Sequence, residues 1–203
     1  MSTDGLKWWP TIEVIKYDAR STAALTRDLG HAPTGPELRE LERLGLIAPD
    51  DVVVCEGNIL VSVGIDRITS LIVGAGGGTL TSTTGFIGVG ATNTAAAIGN
   101  TALAGDNNAS TARYNGLDGG FPTRSTTTAT NDTINASATF GSGIAEFVWA
   151  EWCIGMVSSG TVTPGSARAS LGTTPIILNR KVDSLGTKGA GSTWTLAAKI
   201  VLS

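Results

Sequence analysis

The stretch Thr193–Leu202 has an apolar residue at every second position. Trp194, Leu196, Ala198, Ile200 and Leu202 take every second position, with Thr195 and Lys199 among the residues between them. Successive side chains of a strand face opposite ways, so this pattern puts one apolar row on one side of a sheet. A strand cannot bury such a row alone; it needs neighbours and a second layer. Further upstream, Ile134, Ala136, Ala138 and Phe140 repeat the alternation. Ala145–Met156 is rich in Phe, Val, Trp, Ile and Cys, and Pro175–Val182 is a third apolar run. Gly-Thr and Ser-Gly clusters separate these runs, as turns separate antiparallel strands. The expected fold is mainly β: an antiparallel β-sandwich or jelly-roll-like domain, with an N-terminal arm and two short helices.

Charge divides the chain. Residues 1–73 carry 18 charged side chains, and residues 74–203 carry 13 in 130 positions. This predicts an N-terminal arm and helical segment at 1–73 and a Gly/Thr-rich β-domain at 74–203. Trp8–Tyr17 reads as extended, with Pro10 favouring an edge or a loop. Thr34 and Glu37 have capping-box spacing, Pro36 suits a first turn and Gly45 a stop, which predicts a helix over Thr34–Leu44. A second helix is expected over Asn58–Val73, capped by Asn58 and weakened by Gly64. Val52–Val54 reads as a short buried strand. Gly74–Gly78 reads as a flexible joint. Residues 92–133 have loop composition, and a loop of that length points to function or partner contacts.

The same composition narrows the chemistry. A net charge of -3 and a pI near 5.1 argue against non-specific nucleic-acid binding, which needs a basic face. One His and two Cys cannot make a four-ligand zinc site without carboxylates. No apolar run approaches the ~18 residues of a membrane helix, and Met1–Pro10 lacks a signal-peptide pattern. His31 has no nucleophile motif beside it, and there is no Gly-x-Ser-x-Gly elbow. Cys55 and Cys153 sit in apolar surroundings and read as packing residues. Glu146 and Glu151 lie an odd number of residues apart, which separates them to opposite faces of a strand; a solvated or inter-subunit charge is the expected role. Gly74–Gly78 lacks the Gly-Lys-Ser/Thr ending of a phosphate loop. The chain reads as a protein without catalytic residues, cofactor or metal.

The expected contact residues are Trp8, Trp9, Ile12, Val14, Arg124, Arg180, Lys181 and Lys188. The Trp pair either folds back into the core or anchors in a partner, since Trp supplies large contact area at low entropic cost. Arg180, Lys181 and Lys188 flank a turn between two strands. They are expected to cluster at one end of a hairpin, where they meet acids of a neighbouring subunit or a shell, or stay solvated. Arg124, close to Phe121-Pro122, is expected to pin the long loop to the β-core.

One resemblance covers residues 57–203. Leu178-Asn179-Arg180-Lys181-Val182-Asp183-Ser184-Leu185-Gly186-Thr187-Lys188, followed by Ser192-Thr193-Trp194-Thr195-Leu196, resembles a recurrent pattern of tailed-bacteriophage structural proteins. Phe86-Ile87-Gly88-Val89-Gly90, Gly119-Gly120-Phe121-Pro122-Thr123-Arg124 and Glu151-Trp152 resemble other parts of it. The resemblance implies a virion protein, of the capsid decoration (cement) type. Such a protein is made in the host cytoplasm, sits on the capsid exterior, forms a homotrimer and binds the major capsid protein, with no nucleic acid or membrane partner. An arm that pairs with a shell strand would act by β-augmentation. The alternative is a tail or fibre component that binds the host surface. No collagen-like or heptad repeat supports a fibre shaft.

Overall fold

The computed structural model describes residues 8–106, 110–128, 131–172 and 175–202. Two antiparallel sheets pack face to face as a β-sandwich. The first sheet has five strands: β1 (Trp8–Tyr17), β2 (Asp51–Glu56), β6 (Thr123–Thr128), β7 (Asn131–Phe140) and β11 (Thr193–Leu202), in the order β2-β1-β11-β7-β6. The second holds β3 (Ile59–Leu60), β4 (Gly85–Gly90), β5 (Ala112–Gly116), β8 (Val148–Met156), β9 (Ile176–Ile177) and β10 (Asn179–Thr187). Its order is β3-β10-β8-β4-β5, with β9 also paired to β8.

Alternation decides which residues meet between the sheets. β11 spans the alternating stretch and sends Trp194, Leu196, Ala198 and Ile200 inward. Ile12 and Val14 of β1, Ala136, Ala138 and Phe140 of β7, and Trp149, Trp152 and Ile154 of β8 complete the core. Trp149 lies at its centre. Its ring meets Phe140 at 4.9 Å and Trp194 at 5.0 Å, both edge to face, and its Nε1 donates to the Ala145 carbonyl at 2.9 Å. Such aromatic pairs add to the burial energy of the rings themselves.

β1 is a central strand and not a free arm. It pairs with β11 from Trp8↔Leu202 to Tyr17↔Thr193, and on its other side with β2. The change in composition near Gly74 therefore marks no boundary between the sheets: residues before and after it share the first one. β2 is an edge strand, so of the three valines expected to be buried only Val53 packs toward the core. Val52 is 40% and Val54 58% exposed.

Three α-helices are present among the described residues: α1 (Ala19–Leu29), α2 (Gly35–Arg43) and α3 (Ser62–Ile72). α2 carries the expected capping box, with the Thr34 amide donating to Glu37 Oε2 at 2.9 Å. α1 is an addition to the expected elements; Asp18 caps it by accepting from Ser21 N at 2.8 Å. α3 begins later than expected, after Val61. Asn58 does not cap it but accepts from the Trp8 indole at 2.8 Å. Gly64 of α3 is a close-approach residue, because a Cβ there would overlap the Leu178 backbone.

Residues 92–133 are not one long loop. They contain β5, β6 and the start of β7. Residues 94–105 lie over the outer face of the second sheet, where Phe86, Leu103, Tyr114, Cys153 and Leu171 form a second apolar cluster.

Candidate functional site

Two features distinguish this sandwich: a sealed ionic cluster on one outer face and an open apolar edge on the other. The cluster forms where strand register places Glu151 of β8 and Arg180 of β10 on the outer face of the second sheet. Arg180 Nε donates to Glu151 Oε2 at 2.7 Å, and both side chains are essentially inaccessible. Glu151 also accepts from the amides of Ala104 at 2.9 Å and Gly105 at 3.0 Å. The other guanidinium nitrogens donate to Thr94 O at 2.7 Å, Ala95 O at 3.2 Å and Asn100 Oδ1 at 2.9 Å. A buried charge pair is tolerated only when its remaining donors and acceptors are used, and here the covering segment supplies the partners. Gly90 makes room, since a Cβ there would meet the Glu151 carboxyl. Close by, Arg168 Nε pairs with Asp106 Oδ2 at 3.3 Å, and Asp106 also accepts from the Tyr114 hydroxyl. Burial pushes the Tyr114 hydroxyl up, and burial also raises the Asp106 carboxyl against the pull of Tyr114 and Arg168.

This overturns the expected hairpin-tip cation cluster. Arg180 is inside, on Glu151. Lys188 is 1% exposed, with Nζ donating to the Gly141 carbonyl at 3.0 Å. Burial brings its ammonium down to about 8, while nearby Glu146 acts the other way. Lys181 is half-buried and pairs with Asp183 at 2.9 Å. It also donates to the Glu56 carbonyl, tying β10 to β2 across the sandwich edge. Beside it, burial, followed by Asp183, pushes the Cys55 thiol up to about 11. Cys153 is fully buried and its thiol is raised by that burial. A thiol so raised is a poor nucleophile.

The other expected contacts separate in the same way. Ile12 and Val14 are wholly buried in the core, which removes them as surface contacts. Arg124 is exposed and pairs with Asp132 across the β6–β7 hairpin, with Nε 3.2 Å from Oδ1. Phe121 is held by Arg39 of α2 instead, whose guanidinium lies 4.6 Å above the ring. The Trp pair splits: Trp8 turns to Asn58, and Trp9 stands 60% exposed. Glu146 accepts from the amides of Gly143 at 2.8 Å and Gly191 at 2.9 Å, joining two turns. Glu151 is neither solvated nor free for a subunit contact. The two carboxylates do not share a cleft.

The open edge is built by β1 and β2. Glu13 pairs with Val54 and Ile15 with Val52, so these residues share the outward face of the first sheet with Trp9 and Thr11. A shallow trough of about 610 Å³ runs along this face past Thr11, Val54, Phe121, Ala197 and Lys199. Beyond β2 no described strand pairs with it, so an apolar edge strand faces outward. Natural sheets usually blunt such an edge with charge or proline. Val52 and Val54 escape a sequence-based choice of contacts because a run of three valines reads as core. The flanking Asp51 and Glu56 are the available signal of an edge.

Among the described residues, no three His, Cys, Asp or Glu side chains converge as metal ligands, and no helix is long and apolar enough to cross a membrane. Comparison of the chain with protein-family models, with curated proteins and with solved structures gives no match.

Proposed function

We propose that this chain is a tailed-phage capsid decoration protein that binds the outer capsid lattice as a homotrimer and stabilises the head. The observation that carries this reading is the outward face of β1 and β2. Trp9, Val52 and Val54 are exposed apolar residues on that face, with Thr11, Glu13 and Glu56 between them, beside an unpaired strand edge. Exposed apolar surface of this kind marks interaction sites, and an unpaired edge accepts a further strand. The partners are other copies of the chain and the major capsid protein. β1 is fixed inside the sheet, so attachment runs through the β2 edge and the Trp9 side chain and not through a loose arm. Many modest contacts per particle give avidity. The residues quoted above for the phage resemblance support the assignment to a virion, on the capsid exterior. The work is binding, without a catalytic step, cofactor, nucleic acid or membrane.

The test is attachment of purified protein to empty capsids, with the trimer checked by sedimentation. Trp9→Ser combined with Val54→Lys is expected to weaken attachment at least tenfold with an unchanged melting temperature, because both side chains face outward. Full attachment of that variant, or virion density for the chain at the tail alone, would overturn the decoration reading. Tail density would favour the host-binding alternative, which the neutral Thr/Asn-rich loops also suit.

A further inference from the structure

A separate cleft of about 360 Å³ lies between α3 and the mouth of the sandwich. Ile68 and Leu71 of α3 line one side; Trp8, Ile134, Met156 and Ile200 line the other. Arg67 is the single charged residue in this lining. It is 6% exposed, and its Nε and Nη2 are buried without a hydrogen-bond partner. Nη1 alone is used, donating to the Gly76 carbonyl. No described acid pairs with Arg67, whereas the more deeply buried Arg180 has a carboxylate and three oxygen acceptors besides. A buried cation without a counter-charge is costly, and an unsatisfied buried donor calls for a physical reason.

We propose that this cleft is a binding site for an aliphatic carboxylate, with the chain of the ligand among the isoleucines and its carboxylate on Arg67. Three properties converge. The volume falls in the range of small-molecule pockets, roughly 300–1,000 Å³. The walls are apolar, as an alkyl chain requires. The free guanidinium edge offers two parallel N–H donors, the arrangement that carboxylates take in bidentate pairs. The Gly76 carbonyl tethers the guanidinium at Nη1, and Gly77 packs over it so closely that a Cβ there would overlap it. In the apolar surroundings the attraction between the two charges is far stronger than in water. The site is independent of the capsid reading and stands or falls apart from it.

The experiment uses the full chain and three probes of equal length: decanoate, 1-decanol and decyltrimethylammonium, each below its micelle concentration. Calorimetry gives affinity, and isoleucine methyl NMR locates the ligand. The expected result is saturable one-to-one binding of decanoate, at least tenfold tighter than decanol, with shifts at Ile68, Ile134 and Ile200. Decyltrimethylammonium should bind weakest. Arg67→Met should abolish the preference for decanoate over decanol, and Arg67→Lys should keep some of it. Equal affinity for all three probes, no saturation with any, or shifts confined to other isoleucines would overturn the proposal. The comparison of probes on the unaltered chain decides the matter even if Arg67→Met does not fold.

Discussion

Arg180 joins three regions of the chain through one side chain. It is held by Glu151 of β8 and in turn holds the carbonyls of Thr94 and Ala95. Truncating it strands the Glu151 charge in the interior. Arg180→Met is expected to cost about 3–5 kcal/mol in urea unfolding. Adding Glu151→Gln should recover some of this, since the stranded charge is gone and the amides of Ala104 and Gly105 keep an acceptor. Hydrogen exchange at residues 94–105 should rise in the single variant before exchange in the first sheet does. Lys188 gives a prediction in pH. Its folded value is about 8, against roughly 10.4 for an exposed lysine. Between those values the unfolded chain binds more protons, so this residue makes stability rise with pH across that window. The cysteines, Tyr17 and Tyr114 oppose the trend, because burial raises their values in the folded chain. Comparison with Lys188→Met removes their contribution. The stability of the unaltered chain relative to that variant should grow by up to about 3 kcal/mol from pH 7.5 to 10. A flat difference would show that the buried ammonium is not penalised.

At the scale of elements, Gly64 is the informative position. Exchange of Gly for Ala inside a helix ordinarily gains roughly 1 kcal/mol. Here the added Cβ would overlap the carbonyl and Cα of Leu178, and backbone cannot step aside as a side chain does. Gly64→Ala is therefore expected to destabilise by about 1–3 kcal/mol by overpacking, read from the denaturation midpoint. A rise in midpoint would mean that α3 can lift from β9 freely. The elements also show what is legible in the sequence. β11 is legible to the residue, because Trp194, Leu196, Ala198 and Ile200 are all buried and every second position along that face is apolar. α2 is legible because its cap is local, made by Thr34 and Glu37 three positions apart. α1 carries few large apolar residues, so its periodicity is faint. β5 and β6 carry strand-favouring Tyr and Thr but no apolar alternation, so no period-two row marks them as strands. Asn58 cannot be read, since the indole that claims it lies fifty positions away. The site is less legible still. Trp9 is visible as a candidate, but the Arg180–Glu151 pair is hidden as two ordinary charges. Glu151 stands in a largely apolar run, which is the mark of a partner across the sheet, whereas Arg180 lies between Asn179 and Lys181 and carries no such mark.

For the whole molecule, the decisive fact is the placement of β1. It has pairing partners on both flanks and sends Ile12 and Val14 into the core. Removing residues 1–17 is therefore expected to abolish cooperative thermal unfolding, and not merely to weaken attachment to a surface. A cooperative transition in that truncated chain would show that the sheet closes without its second strand. The two faces of the molecule differ accordingly. The second sheet is covered on its outer side by the segment that Arg180 and Glu151 hold. The first sheet leaves its outer side open, with Trp9 and the β2 valines on it.

The pairing of β1 with β11 also sets an order of events in time. β11 lies at the far end of the described chain, so during synthesis β1 waits for its long partner until nearly every other element has been made. Through that interval Ile12 and Val14 can lean only on β2 and on provisional contacts. Closing so distant a pair makes folding slow relative to a chain built from local contacts. The interval is when the β2 edge, exposed even in the finished protein, is most open to the wrong neighbour. In a crowded cell full of identical nascent copies, yield would then depend on how fast the last strand arrives.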